Sequence, residues 1–312
     1  MNRIHPRYFP RTLGIYFDTC RVASYRMQYP FRDLATQGYP VGWAQSVHGV
    51  NLDAYDLVIF LRTPHTDDEL LQEQVAIAHR AGKVILLDNA APGFPEGVYH
   101  GVTLPDGSYS TGGNAHCIVD TGIDPQSWAA TERWTTQTTI GLFSDTPSPE
   151  VDWRPLLPSL RGIRIDFPDV KLAVGYGAIP LLDEVATDTW QWPLLVNEHA
   201  ATMGSVDILL CYGAPIRSHD VYEAANWGGI VIADPSYAHI VRSKGTLAKP
   251  DELYDVVKYL LHNPAKRKIK QQALIKYVGA RKTMQQTIPH IVRAWQELYT
   301  AKIGSMTEAR TG

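Results

Sequence analysis

The sequence predicts two α/β domains, each a parallel sheet covered by helices, with the two sheets facing across a cleft. Three observations carry that prediction. Short, uniformly apolar runs alternate with segments of helical period, as in a parallel sheet buried on both faces. The alternation lapses in a stretch rich in Gly, Pro, Trp and Thr, then restarts in the second half. The length, 312 residues, exceeds one ordinary domain and suits two.

Taken in order, Thr12–Phe17 is an apolar run before a polar turn and reads as the first strand. Arg21–Gly38 has mostly helical spacing and ends on glycine, a common helix stop. Tyr55–Leu61 is a second buried-strand pattern. Asp67–Ala81 is amphipathic, with Leu70, Leu71, Val75 and Ala78 on one face and Gly82 closing it. Lys83–Leu87 is a strand ending at Asp88. Asn89–Asn114 reads as loop or a hairpin, His116–Val119 as a short strand, and Asp124–Thr139 as the interdomain connection. The second set comprises strands at Thr139–Phe143, Lys171–Val174, Val206–Leu210 and Ile230–Ala233. Helical patterns lie at Trp153–Arg161, Leu194–Met203, around Glu223, Pro250–His262, Ala265–Lys282 and Pro289–Tyr299.

Composition excludes several classes. A net charge of −3 and 45% apolar residues are ordinary for a soluble globular protein. No apolar run approaches the roughly 20 residues that span a bilayer. The N-terminal basic residues are followed by no apolar core, so no signal peptide is expected. Cys20, Cys117 and Cys211 are too few and too scattered for a disulfide framework or a zinc pattern, which favours reduced thiols and a cytoplasmic setting. One segment is strongly basic: Lys266, Arg267, Lys268, Lys270, Lys276, Arg281 and Lys282 crowd together without an acid. A solvated helix face explains it; a surface for a polyanion, nucleic acid or anionic lipid, is the functional alternative.

The most informative stretch is Val206–Lys244, which opens VDILLCYGAPIRSHDVYEAANWGGIVIA and closes on a further helical pattern. Its opening reads as strand, polar loop, short helix, Gly-Gly turn and strand. Arg217, Ser218 and His219 fall where that helix begins, and unpaired N–H groups at a helix start attract phosphate. Glu223 is the single acid of the helix beyond its first turn, among Val221, Tyr222, Ala224 and Ala225, placed to accept ribose hydroxyls. A helix-surface carboxylate and a simple Ser218 cap are the structural alternatives. Ser144 opens a polar loop (SDTPS) after a strand, a phosphate site or an ordinary turn. Gly175 and Gly177 flank Tyr176 after another strand, where a backbone could approach a base and Tyr176 could stack. Asp18, Arg26, Arg62 and Asp88 all fall at predicted strand ends or a helix start. His65, His100 and His116 are loop or strand histidines that could act as bases.

These phrases together resemble the GT-B glycosyltransferases, in particular the group-1 (family 4) class. VDILL, the loop with Arg217 and Ser218, E-A-A-x-x-G-G (Glu223 to Gly229) and IVIA resemble that family's donor-binding half. SYRMQYPFRDLATQGYPV (Ser24–Val41) resembles its opening helix. YDLVIFLR and AGKVILLDNA resemble its later strands, IVDTGIDPQSW (Ile118–Trp128) the interdomain phrase, and TTIGLFSDTPS the second domain's first strand and phosphate loop. Three positions differ: Pro215 replaces the first glutamate of an E-x7-E pair, Asp18–Ser24 replaces a glycine-rich turn, and Asn89 follows Asp88 where relatives often have a second aspartate.

The resemblance implies a Rossmann-like acceptor domain over 1–135, a Rossmann-like nucleotide-sugar domain over 136–285, and a last helix, 286–312, crossing back to the first domain. It implies a donor held by Ser144, Gly175, Tyr176, Arg217, Ser218, His219 and Glu223, and an acceptor met by Ser24, Arg26 and Arg62. Asp18 or Asp88 is the candidate base of an inverting reaction; a retaining one leans on the donor phosphate. The chain contains no D-x-D pair of the kind that chelates a divalent ion, so a metal-independent reaction is expected, with the nucleotide-sugar as co-substrate and no cofactor. The absence of G-x-x-x-x-G-K-[ST] and G-x-G-x-x-G disfavours P-loop and dinucleotide enzymes. Two alternatives stand beside this reading. One is a non-catalytic nucleotide-sugar-binding protein of the same fold. The other is a transferase acting on hydroxylated bases in DNA, held through Lys266–Lys282.

Overall fold

A computed structural model describes residues 4–18, 23–63, 65–89, 98–104, 116–118, 137–144, 152–176, 182–190, 203–212, 218–238, 244–281 and 284–311. The chain forms two units, Met1–Gly122 with Met284–Gly312, and Ile123–Thr283. The sequence puts the boundaries at 135 and 285.

In the first unit, strands β1 (Thr12–Tyr16), β2 (Val41–Ala44), β3 (Leu57–Arg62), β4 (Val84–Asn89), β5 (Gly101–Leu104) and β6 (His116–Ile118) form one sheet in the order β2-β1-β3-β4-β5-β6. Every pairing is parallel. The Asn89–Asn114 region thus contains no hairpin among its described residues; Gly101–Leu104 is a parallel strand lying between β4 and β6. Strand β2 escapes sequence reading because VGWA is short and only partly buried, with Trp43 exposed. Helix α1 (Tyr29–Thr36) and helix α2 (Asp68–Arg80) follow β1 and β3. The Asp67 carboxylate caps α2, accepting from the Glu69 and Leu70 amides at 2.9 and 3.2 Å.

The helix expected from Arg21 is not uniform. A π-helical turn, Ser24–Gln28, precedes α1. Pro30 explains it. Its ring supplies no N–H to the Arg26 carbonyl and would crowd it in a regular helix, and a widened turn relieves both. The last helix of the chain shows the related effect. The sequence reading opens it at Pro289 because proline commonly stands at a first helical position; the helix, α7 (Met284–Thr311), starts five residues earlier and carries Pro289 within it.

Helix α7 belongs to the first unit, where it packs on β4, β5, β6 and α1. Trp295 is fully buried and its ring lies 5.2 Å from that of Phe31. A Cβ at Gly101 would meet Leu298 at 2.9 Å, so this glycine lets α7 approach β5 closely. Trp295→Ala is expected to destabilise the first unit by about 3–5 kcal/mol, the range for truncating a buried aromatic. Urea unfolding followed by far-UV circular dichroism measures it.

The second unit contains β7 (Thr139–Ser144), β8 (Lys171–Tyr176), β9 (Asp188–Trp190), β10 (Ile208–Cys211), β11 (Ile230–Ala233) and β12 (Thr246–Leu247), in the order β12-β11-β10-β7-β8-β9. These pairings are also parallel. Strand β10 shows why its residues are all apolar. Ile208 and Leu210 enter one core with Leu160 and Ile163 of helix α3 (Leu157–Asp166) and Val257 and Leu260 of helix α5 (Leu253–His262). Leu209 and Cys211 enter the other, with Val221 and Tyr222 of helix α4 (Ser218–Asn226) and Leu274 and Val278 of helix α6 (Pro264–Arg281). A strand buried on both faces has no polar alternation to show. The helix expected over Leu194–Met203 falls almost wholly outside the described residues.

Candidate functional site

Each sheet reverses its winding once. In the second unit, β7 lies between β8 and β10, so the connections leaving β7 and β10 diverge at that point. Open parallel sheets bind ligands outside the carboxyl ends of their strands at such a divergence. Ser144 is the last residue of β7 and Tyr176 the last of β8, and the two are register partners. Gly175, one residue before, is buried and pairs with Phe143 and Trp190. Gly175 and Tyr176 are therefore strand residues, whereas the sequence reading ends the strand at Val174. Strand β10 ends at Cys211 and α4 begins at Ser218. Arg217 and Gly177, and the side chains of Ser144, Tyr176, Ser218 and His219, lie outside the described residues.

Helix α4 brings Glu223 into this region. Five residues at a rise of about 1.5 Å each set it about 7.5 Å behind the helix start. Glu223 is 1% exposed, so the surface-carboxylate alternative is excluded. The Gly-Gly pair of the motif is structural: Gly228 has φ +82° and its N–H donates to the Ala225 carbonyl at 3.0 Å, while the Gly229 N–H donates to Ala224 at 2.8 Å. This pair of bonds ends α4 and returns the chain into β11.

In the first unit the divergence lies between β1 and β3. Asp18, just past β1, accepts from the Thr63 hydroxyl, just past β3, at 2.5 Å. The Thr63 Oγ1 also accepts from the His65 amide at 3.2 Å, and the Thr63 amide donates to Thr66 Oγ1 at 2.8 Å. A partly exposed carboxylate is thus fixed by a braced threonine at the carboxyl edge. Thr63 carries no sequence signal beyond its place after an apolar strand.

Arg26 and Asp88, assigned separate tasks by sequence, are partners. Arg26 is 5% exposed and Asp88 2%. The Arg26 Nε donates to both Asp88 oxygens at 2.9 and 3.0 Å, and Nη2 donates to Oδ1. The Thr103 hydroxyl donates to Oδ1 at 3.0 Å. Asp88 therefore serves a buried ion pair that ties the π-helical turn to β4, which corrects its reading as an open base. Ser24, buried in the same turn, donates to Gln28 Oε1 at 3.2 Å. Arg62 reaches Asp68 at the start of α2, at 2.8 and 3.1 Å.

His100 stands at the opposite, amino edge, directly before β5. Its Nδ1 accepts from the Ile85 amide at 2.8 Å. Burial, with Lys302 and His79 adding, lowers its pKa from 6.5 to about 4. A general base at the ligand-binding edge is thus excluded for His100. The unfolded chain protonates this group near 6.5, the folded one only near 4, so its contribution is present above pH 6.5 and is lost as pH falls through 4. The urea midpoint is expected to fall between pH 7 and pH 5. His100→Asn, whose Oδ1 can accept the same amide, should flatten that slope.

Among the described residues no group of three or more His, Cys, Asp or Glu side chains could hold a metal ion, and no helix is long and apolar enough to cross a membrane. Cys117 is a half-buried thiol and Cys211 a buried one.

No family sequence model and no curated protein sequence matches the chain. Solved structures do. WaaG, a glycosyltransferase involved in lipopolysaccharide biosynthesis, aligns over 90% of this chain and 98% of its own, with a TM-score of 0.61 and 13% identity. An α-glucosyltransferase in complex with UDP and a 13-mer DNA aligns over 91% and 99%, with a TM-score of 0.60 and 8% identity. MnaA of S. aureus, solved with UDP, aligns over 84% and 91%, with a TM-score of 0.53 and 15% identity. Two parallel-sheet units in this chain order are the GT-B fold.

Proposed function

We propose that the chain is a family-4-like glycosyltransferase that moves a sugar from a nucleoside-diphosphate donor to an acceptor hydroxyl without a metal. One observation carries the reading: an acid 1% exposed lies on the helix that follows β10, the strand beside the winding reversal of the second sheet. Fold alone does not assign chemistry; a buried acid at this position supports it. The glycosyltransferase neighbours, and those solved with UDP, support it.

In this reading Glu223 accepts the ribose hydroxyls. The first amides of α4, with Arg217, Ser218 and His219, hold the diphosphate, and Ser144 supplies a further donor. Gly175 and Tyr176 border the base. As the bond from the sugar's anomeric carbon to the diphosphate breaks, negative charge grows on the leaving phosphate, and these fixed donors stabilise it. In an inverting reaction Asp18, oriented by Thr63, takes the acceptor's hydroxyl proton. Ser24, Arg26 and Arg62 shape the acceptor side. Arg26 does so indirectly, through the pair with Asp88.

A thermal-shift series with UDP-, GDP-, ADP- and TDP-sugars tests the reading. One nucleotide series is expected to raise the melting temperature in proportion to the logarithm of its concentration. No stabilisation by any of them would reject it. Binding without transfer or donor hydrolysis would leave the non-catalytic alternative.

A further inference from the structure

Helix α6 presents two different faces. Leu274, Tyr277 and Val278 are buried against α4 and the second sheet. The opposite stripe, Lys268, Ile269, Gln272, Ile275 and Lys276, is exposed, with Ile269 at 59% and Ile275 at 40%. Lys266 is exposed beside it. No acid occurs anywhere in Pro264–Arg281.

We propose that this stripe seats the second unit on an anionic lipid surface, independently of the reading of the donor site. A solvated helix face accounts for the lysines, but it has no use for two exposed isoleucines in the same row. Lysines alternating with aliphatic side chains suit the bilayer boundary, where ammonium groups meet lipid phosphates and the isoleucines enter the acyl edge. Lysine stems can lie along that edge while their charges stay in water. A nucleic acid would satisfy the lysines and leave the isoleucines against phosphodiester or water, and the stripe offers no aromatic ring for a base to stack on.

Flotation of the full chain with vesicles tests this, comparing mixed phosphatidylglycerol and phosphatidylcholine with phosphatidylcholine alone. The protein is expected to float only with the anionic vesicles, and less so as salt rises. Lys268→Glu/Lys276→Glu and Ile269→Ser/Ile275→Ser should each weaken partitioning at least about ten-fold without moving the melting temperature. A polarity-sensitive dye on Gln272→Cys should shift to the blue on anionic vesicles, which locates the contact without altering charge or apolar groups. Equal flotation with both vesicle types, none with either, or no dye shift overturns the proposal. So does duplex-DNA binding that the lysine pair abolishes and the isoleucine pair leaves intact, with no anionic-vesicle binding.

Discussion

Asp88→Asn is expected to cost about 3–5 kcal/mol of stability, because it strands the buried Arg26 charge without its carboxylate. For a unit of this size the melting temperature should fall by on the order of 10 °C. The same principle predicts an asymmetry. Arg26→Met/Asp88→Leu removes both charges, so neither is left unpaired, and most of the loss should return. The Thr103 hydroxyl donates to Asp88 at 3.0 Å, so Thr103→Val must join the set to avoid a stranded donor. Calorimetry of the single variants and the triple variant measures the asymmetry. If the triple variant is stable but has lost transfer activity, the pair has a task beyond holding the π-helical turn. If Asp88→Asn folds as well as the parent, the pairing does not carry the turn.

What the sequence made legible follows from burial. Strands covered on both faces are continuous apolar runs, and β1, β3, β7, β10 and β11 are found within a few residues. Helix α2 announces itself by period, by Asp67 as its cap and by Gly82 as its stop. Most strands missed have little to bury: β2 and β12, each partly exposed, and β9, three residues long; β5, buried throughout, was missed because it lies inside a Gly- and Pro-rich stretch. Proline misled once, since a ring that usually starts a helix is carried inside one at Pro289. Among candidate residues, the burial of Glu223 was legible because an acid flanked by Val221, Tyr222, Ala224 and Ala225 demands a reason. The Arg26–Asp88 pair was not, because 62 residues separate them and only the sheet brings β4 beside the turn after β1. Thr63 was hidden for the same reason: its partner Asp18 is 45 residues away.

Glu223→Gln is expected to weaken binding of the nucleoside diphosphate by on the order of 100-fold, since it removes charge-assisted hydrogen bonds worth about 1.5–3 kcal/mol each. The variant keeps the volume of the side chain among Val221, Tyr222 and Ala224, so the apolar packing of α4 is conserved. Affinity loss alone would not separate a ligand contact from a disturbed helix. A cycle on the ligand does. The parent should discriminate against 2′-deoxy and 3′-deoxy forms of the same nucleotide by a similar factor, because each removes a hydroxyl that Glu223 would accept. In Glu223→Gln that discrimination should largely vanish. Any general weakening of α4 acts on the ribo and deoxy ligands alike and cancels from the comparison. A variant that still prefers ribose as strongly as the parent would move the pentose elsewhere and leave the buried acid to the fold.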